Sequence, residues 1–206
     1  MVVPPVHIVS DRRMAPDLAR AVRSALSRMP PGSVAVHLRE KDLGGRDLLE
    51  LARALRAVCT EAGQLLLVND RADVALAAGA DGVHLPSAGL PTADARALLG
   101  PGRLVGVSCH GVDDVRRAHD AGASYATFGP VFDTPSKRAY GPPVGLAALR
   151  EAVPLGLPLV ALGGVDVANA PDATAAGAHG VAVIRAWLEA RDPAAAVAAL
   201  LAAARP

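Results

Sequence analysis

Eight short aliphatic runs alternate with longer stretches of helical period, and this alternation constrains the fold more than any other feature. The runs are apolar almost without interruption, which is typical of parallel strands buried on both faces. Three of the helical stretches cover residues 17–29, 46–62 and 91–100. The eight runs lie at residues 6–10, 34–39, 65–69, 82–85, 104–108, 125–129, 157–164 and 180–184.

Eight such units in a chain of 206 residues predict a closed (β/α)8 TIM barrel, formed as a single domain over residues 1–206. An open doubly wound sheet is the alternative, but no nucleotide-type glycine loop follows the first run. Residues 78–85, 121–129 and 176–184 repeat one pattern, in which a helix end and a glycine precede a strand. The alanine-rich tract from Ala194 predicts a packing helix, because a membrane span needs ~18 apolar residues.

Composition excludes several classes of partner. The formal net charge is +1 and aromatic residues make up 2% of the chain, which gives no electrostatic or stacking basis for binding nucleic acid or an anionic membrane. Cys59 and Cys109 form no disulfide framework, and the N-terminus lacks a signal-type segment. These features predict a cytoplasmic protein that binds neither nucleic acid nor membrane.

Phosphate binding is predicted at the ends of the late strands. In a TIM barrel, catalytic and binding residues lie at the C-terminal ends of the strands, and loops seven and eight often hold phosphate. Gly163 and Gly164 end the seventh run, where glycines let backbone amides approach an anion. A tight turn that merely requires glycine is the alternative. Only two of the 21 basic residues are lysines, and both Lys41 and Lys137 fall in the strand-end set.

A second anion contact is predicted on the second strand. His37 and Arg39 are two residues apart, so they share a face of the strand, which we take to be the barrel interior near its mouth. An inward arginine is costly unless it meets an anion, so Arg39 indicates a carboxylate or phosphate on the ligand. An internal ion pair with Glu40 or Asp70 is the alternative.

Candidate polar groups also end the third and fifth strands. His110 is suited to take up and return a proton near neutral pH, although a structural histidine is the alternative. Asn69 is a candidate ligand contact, and Asp70 is either a metal ligand or base or the N-cap of a helix starting at Arg71. His7 and His84 lie within strands and are interpreted as packing or hydrogen-bonded positions. No pair of histidines has the spacing of a metal motif.

Four segments together resemble the thiamin phosphate synthase superfamily, and they cover nearly the whole chain. The resemblance implies a (β/α)8 barrel that binds a phosphorylated thiazole. One branch couples a thiazole phosphate to a pyrimidine diphosphate with Mg²⁺, and the other is the TenI-type thiazole tautomerase, which aromatises a thiazole phosphate without a metal. The segments lie at residues 36–43, 66–85, 105–137 and 158–184.

The segment after the fourth run favours the tautomerase branch. Pro86, Ser87, Ala88 and Gly89 stand where the resemblance places Gly-Gln-Glu-Asp in the synthase, with the aspartate as a Mg²⁺ ligand. His37 stands where the synthase has glutamine. We therefore expect an isomerase, a thiazole tautomerase of thiamin biosynthesis that uses no metal or other cofactor. A Mg²⁺-dependent thiamin phosphate synthase and a non-catalytic thiazole or thiamin phosphate-binding regulator are the alternatives.

The resemblance also implies roles for individual residues. His110 is the single acid–base, with Ser108 orienting it, and Arg39 and His37 bind the substrate carboxylate. Arg185 departs from the serine usual in the family after the phosphate strand, and a homodimer is a family-level expectation. Further substrate contacts are expected from Lys41, Asn69 and Lys137, and phosphate contacts from Lys137, Gly163, Gly164, Val183 and Ile184.

Overall fold

The chain forms a closed barrel of eight parallel strands, as predicted, in a computed structural model that describes residues 1–135, 138 and 141–204. Each strand pairs with the next along the chain, and β8 pairs with β1 to close the sheet. Closure excludes the open doubly wound alternative. The strands are β1 Val6–Val9, β2 Val34–Leu38, β3 Leu65–Asn69, β4 Gly82–Leu85, β5 Leu104–Cys109, β6 Tyr125–Phe128, β7 Leu159–Leu162 and β8 Gly180–Val183.

Alternation along each strand separates two apolar regions. On β2, Val34, Val36 and Leu38 belong to the large core between the sheet and the helices, whereas Ala35 belongs to the smaller cluster inside the barrel. His37 follows Ala35 on the inner face, at the end of the strand that carries the candidate site. The strand ends therefore place alternate side chains at the mouth of the barrel, as the period of two requires.

Helices follow the strands and cover the outside of the barrel. Asp17 caps the first helix by accepting a hydrogen bond from the Arg20 amide at 3.0 Å, and Asp192 caps the last helix by accepting one from the Ala195 amide at 3.0 Å. The helices are α1 Leu18–Leu26, α2 Gly45–Glu61, α3 Ala72–Ala77, α4 Thr92–Leu99, α5 Val112–Asp120, α6 Gly145–Ala152, α7 Ala170–Ala175, α8 Arg185–Leu188 and α9 Pro193–Ala203, and a 3-10 turn spans Val153–Leu155.

The alanine-rich C-terminal tract is the packing helix that its sequence predicts. α9 buries Val197, Leu200 and Leu201 in the outer core, and it packs against α1. The buried Trp187 of α8 donates its indole N–H to the Val9 carbonyl oxygen at 3.0 Å, which ties the end of the chain to β1. Within the described ranges, no helix is both long enough and apolar enough to cross a membrane.

Candidate active site

Two cavities adjoin at the C-terminal end of the barrel and share Lys41, Asn69 and Pro86 in their walls. The central cavity, of about 250 Å³, lies at the strand ends over the barrel interior. The lateral cavity, of about 310 Å³, lies beside it between the loops that follow β2 and β3. An arrangement of this kind provides space for two ligands that meet along a common edge.

The central cavity brings together most of the residues predicted from the sequence. Gly164 and Val183 flank this cavity without lining it, and Lys137 lies outside the described residues. Proline and serine from the segment after β4 also reach the wall, as Pro86 and Ser87. The predicted residues that line the central cavity are His37, Arg39, Lys41, Asn69, Ser108, His110, Gly163 and Ile184.

Arg39 contributes a positive charge to the central cavity. Its guanidinium has no ion-pair partner among the residues that the structure describes, so the predicted alternative of an internal pair with Glu40 or Asp70 is wrong. Arg39 is half-buried, and its charge contributes to the lowered pKa of His84. A half-buried cation that forms no ion pair with a protein carboxylate is well placed to bind an anionic ligand group.

The Glu40 carboxylate takes part in a hydrogen-bond bracket, formed with Ser10 and Arg12, that links the ends of β1 and β2. Its carboxylate accepts a hydrogen bond from the Ser10 hydroxyl at 2.6 Å and from the Arg12 amide at 3.1 Å. The Ser10 oxygen in turn accepts the Arg39 amide at 2.9 Å. The bracket therefore fixes the backbone at Arg39. It also engages the Glu40 carboxylate in hydrogen bonds to other residues.

Asp70 occupies a strained position at the edge of the lateral cavity. Its φ of 67° is left-handed, which no other non-glycine residue in the described part of the chain adopts, and such strain concentrates at functional sites. α3 begins at Ala72 with Arg71 at the cap position and no side-chain capping bond, so the N-cap alternative for Asp70 is wrong. The carboxylate is exposed and lies beside Gly89, where an added Cβ would approach its Oδ1 to 2.9 Å.

A chain of hydrogen bonds crosses the barrel interior below the central cavity. His7 Nδ1 lies 2.8 Å from His37 Nε2, and the Tyr125 hydroxyl lies 3.5 Å from that same nitrogen. The hydroxyl is 3.0 Å from His84 Nδ1, and His84 Nε2 is 3.0 Å from the Ser108 hydroxyl. The sequence interpretation of His7 and His84 as hydrogen-bonded interior positions agrees with this geometry, but it missed that His84 lines the cavity.

Burial keeps the three histidines of this hydrogen-bond chain neutral. Desolvation lowers the pKa of His7 and of His84 to about 3, and it lowers the pKa of His37 well below its ordinary value. The same desolvation raises the pKa of Tyr125 well above its ordinary value. The floor of the central cavity is therefore polar and uncharged at neutral pH, and the positive charge lies above it.

His110 stands at the rim, held from both its ring and its backbone. Its Nδ1 donates to the Gly129 carbonyl oxygen at 2.6 Å, and its amide donates to the Asp114 carboxylate at 2.8 Å. The ring therefore carries its proton on Nδ1 when neutral, which leaves Nε2 as an acceptor. The Ser108 hydroxyl contacts His84 instead of His110, so the predicted orienting contact between Ser108 and His110 is wrong.

The loop after β7 requires glycine at both predicted positions. Gly163 has a φ of 92° and would place a Cβ 2.5 Å from the Pro130 Cβ, and Gly164 has a φ of 66° and would place one 2.5 Å from the Asp133 oxygen. The close packing fixes this loop against the one that follows β6. Arg185, the departure noted in the sequence, is exposed at the start of α8 with its Nε 3.9 Å from Glu189.

Sequence reasoning missed Tyr125 and Thr127, two inward positions on β6 that complete the polar floor. The signal for them was present, because polar residues two apart on a predicted strand share a face. A second signal was Gly106 on β5, where an added Cβ would lie 2.1 Å from the Tyr125 ring.

This chain has close counterparts among known proteins. The family model described as thiamine monophosphate synthase matches residues 6–187. The chain belongs to the thiamine monophosphate synthase family. It is 51% identical over 204 residues to a Geobacter sulfurreducens protein provisionally named a thiamine-phosphate synthase, with 98% of this chain and 94% of that protein covered. A thiamine-phosphate synthase of Methanoculleus marisnigri is 46% identical over 201 residues, covering 95% and 92% of the two chains.

Solved structures agree with the family assignment. Thiamine phosphate pyrophosphorylase from Pyrococcus furiosus superposes with a TM-score of 0.87 at 32% identity, and the match covers 98% of this chain and 95% of that one. A 3-hexulose-6-phosphate synthase superposes with a TM-score of 0.66 at 23% identity, which indicates the barrel fold alone.

The prediction of a thiazole tautomerase is wrong. The Geobacter and Methanoculleus relatives are named as thiamine-phosphate synthases, and they indicate an enzyme of the transferase class, not an isomerase. The prediction depended on His37 in place of glutamine and on residues 86–89, where Gly89 marks the loss of one carboxylate ligand for Mg²⁺. That loss does not exclude Mg²⁺ chemistry, because proteins commonly hold this ion with one or two carboxylates, water and the phosphates of the substrate.

Proposed function

We propose that this chain is a thiamine-phosphate synthase, which joins a phosphorylated thiazole to a hydroxymethylpyrimidine diphosphate. The observation that carries the proposal is the pair of adjoining cavities that meet at Lys41, Asn69 and Pro86. A transferase must hold its donor and acceptor together, whereas an intramolecular isomerisation needs room for one ligand. The synthase relatives support the same reaction class.

The bond changes define what the protein must provide. The thiazole nitrogen forms a bond to the exocyclic methylene carbon of the pyrimidine, and the bond from that carbon to the diphosphate oxygen breaks. The electron pair of the broken bond leaves with the diphosphate. Fixed positive charge near the leaving oxygen lowers the barrier, because charge develops there in the transition state.

Lys41 and Arg39 supply that charge in the proposal. Lys41 lines both cavities, and neither side chain has an ion-pair partner in the described ranges. Lys41 lies at the shared edge and Arg39 in the wall of the central cavity, and this placement favours a diphosphate near both, since an anion stabilises cations that form no ion pair. Asn69, in the same shared wall, adds an uncharged donor and acceptor.

Mg²⁺, which the family implies, fits this site only as an ion held jointly with the substrate. The described residues contain no group of three or more histidine, cysteine or acidic side chains arranged to hold a metal. Asp70 is the carboxylate in the wall of the lateral cavity that is not committed to a bracket, and one carboxylate suffices when phosphate oxygens and water complete the shell. When bound, Mg²⁺ would neutralise charge on the departing diphosphate.

The remaining predicted residues are assigned to the thiazole phosphate and the ring-binding surface. We place the phosphate near the amides of Gly163, Gly164, Val183 and Ile184, because these residues lie at the C-terminal ends of β7 and β8, where TIM barrels often bind phosphate. His37, Ser108 and His110 line the cavity that would receive the rings. Lys137 stays a prediction from the sequence.

The test supplies both substrates and Mg²⁺ and measures thiamine phosphate and diphosphate by chromatography. We expect the two products in equal amounts. Asp70→Asn should lower kcat/KM by about 100-fold and raise the Mg²⁺ concentration needed for half-maximal rate, since the amide keeps the shape but loses the charge. Asp94→Asn, the same change at an exposed position in the first turn of α4, is the matched control and should leave both quantities unchanged.

Two outcomes would contradict the proposal. Wild-type chain that forms no thiamine phosphate at any Mg²⁺ concentration would remove the synthase reaction. An Asp70→Asn variant with the rate and Mg²⁺ dependence of the wild type would remove Asp70 from the site. Assembly as a homodimer stays a family-level prediction, and sedimentation velocity of the purified chain tests it.

A further inference from the structure

The hydrogen-bond chain in the barrel has a fixed direction, and it can be deduced from one end. His7 Nε2 lies 3.0 Å from the Pro4 carbonyl oxygen, which can only accept. Nε2 of His7 must therefore carry the proton, and Nδ1 of the neutral ring is an acceptor. The nitrogen 2.8 Å away, His37 Nε2, then has to donate. This leaves His37 Nδ1 without a proton.

The second half of the chain follows from Tyr125. The hydroxyl has two nitrogens in reach, and His37 Nε2 carries a proton, so it cannot accept. A buried hydroxyl proton needs an acceptor, and His84 Nδ1 at 3.0 Å is the one available. His84 then carries its proton on Nε2 and donates to the Ser108 oxygen at 3.0 Å. The Ser108 hydroxyl proton is left free for the cavity.

We infer that Tyr125 and His84 are positioning residues that fix Ser108 as a hydrogen-bond donor toward the central cavity, beside His37 Nδ1 as an acceptor. Ser108 and His37 both line that cavity, and the rings of His37 and His84 lie 5.0 Å apart. The only fully buried side-chain nitrogen or oxygen without a hydrogen-bond partner among the described residues is Arg12 Nε. His37 Nδ1 has no such partner and is therefore not fully buried, and we place it toward the central cavity that His37 lines.

The direction of the chain selects a chemical class of ligand. A ligand edge that offers one hydrogen-bond donor and one acceptor side by side matches His37 Nδ1 and the Ser108 hydroxyl. A ligand edge with the two groups exchanged would place a donor against the Ser108 hydroxyl proton and an acceptor against His37 Nδ1. Neither hydrogen bond could then form, and each buried unpaired polar group costs about 1–3 kcal/mol. The inference depends on the geometry of the floor and is independent of the proposed reaction.

Packing around Tyr125 holds its ring in the position that the hydrogen bond to His84 requires. Gly106 lies on the neighbouring strand where a Cβ would come within 2.1 Å of the tyrosine Cζ and 2.3 Å of its hydroxyl oxygen. The tyrosine ring stacks on His84 with centroids 5.6 Å apart and planes inclined by 28°. The missing side chain at residue 106 therefore gives the ring the space from which its hydroxyl reaches His84.

The direct test reads the ring-nitrogen resonances of the wild-type chain, labelled with ¹⁵N on histidine, at neutral pH. Chemical shifts distinguish a protonated ring nitrogen from an unprotonated one. We expect His7, His37 and His84 all to carry the proton on Nε2. A proton on Nδ1 of His84 or of His37 in the wild type would overturn the inference.

Tyr125→Phe removes only the hydroxyl that sets the state of His84. We expect the His84 Nδ1 signal to lose its single protonation state and become a mixture of both tautomers, while His7 and His37 keep theirs because Pro4 anchors them. Thr127→Val is the matched control: it also removes one hydroxyl near the His84 ring, 3.3 Å from Nε2, but leaves Nδ1 bonded. His84 should then keep its state.

A purely structural Tyr125 would leave the His84 tautomer unchanged in the phenylalanine variant, and that result would overturn the inference. In the synthase assay, Tyr125→Phe should raise KM by about 10-fold, more than it lowers kcat, because Ser108 loses its fixed role in binding. If the wild type formed no thiamine phosphate, that result would contradict the proposed function. The histidine ¹⁵N resonances would still test the tautomer of His84, because they do not depend on turnover.

Discussion

Acid should destabilise this barrel at pH values where ordinary carboxylates are still ionised. The buried His7 and His84 have their pKa lowered to about 3 by desolvation, whereas an unfolded histidine has a pKa of about 6.5. Between those values the unfolded chain binds more protons than the folded chain. Stability therefore falls as the pH drops below about 6.5, and it is fully present above that value.

The size of the effect follows from the two pKa values. From pH 7 to pH 5, each histidine with a folded pKa near 3 should cost about 2 kcal/mol of unfolding free energy, so His7 and His84 together should cost about 4 kcal/mol. His37 acts in the same direction. Carboxylates contribute little in this window, and arginine partners lower the pKa of Asp11 and Asp73 still further.

Urea unfolding at pH 7, 6 and 5 measures this loss. Trp187 is the sole tryptophan and is buried, so its fluorescence reports unfolding of the barrel, with circular dichroism as the second probe. His7→Gln removes one titrating ring and should reduce the difference between pH 7 and pH 5 by about 2 kcal/mol, whatever its effect at neutral pH. A wild-type difference below about 1 kcal/mol would refute the reasoning that burial holds these rings neutral.

Three further substitutions separate binding from folding. Arg39→Gln should change the unfolding free energy by less than about 1 kcal/mol, because no ion pair is lost, yet weaken thiamine phosphate binding about 10-fold in calorimetry. Gly164→Ala should cost about 2 kcal/mol in urea unfolding, since a Cβ would lie 2.5 Å from the Asp133 oxygen at a φ of 66°. Gly106→Ala should cost about 3 kcal/mol and shift the His84 resonances, because the methyl group displaces the Tyr125 ring; unchanged resonances would contradict the packing described above.

The fold was predictable because its signal is repeated along the whole chain. Each of the eight apolar runs coincides with a strand, and the predicted and observed ends differ by at most two residues. Lys41, Arg39 and Asn69 were predictable as site residues for a related reason: in a parallel barrel, every strand end contributes to one mouth. Their position at or just after the C-terminal end of a strand was enough to place these side chains at the same mouth of the barrel.

Other parts of the site depend on contacts that sequence position does not encode. The backbone of Asp70 adopts a left-handed conformation, and its amide donates to the His84 carbonyl oxygen of the next strand, so local cap preference gave the wrong role. Tyr125 was missed because its place in the hydrogen-bond chain requires the gap at Gly106, its register partner on the neighbouring strand β5, and the sequence does not show which residues pair across strands.

The error over the reaction has a physical lesson about metal sites that form with their substrate. Counting protein carboxylates measures how well a chain binds Mg²⁺ by itself, but a diphosphate brings its own oxygen ligands to the ion. At this site the relevant features are the cations without an ion pair and the number of cavities. Arg39 and Lys41 form no ion pair in the described ranges, and two cavities meet beside Lys41. Under the proposed function, these features serve a highly charged ligand and a second molecule, whichever residue stands at position 89.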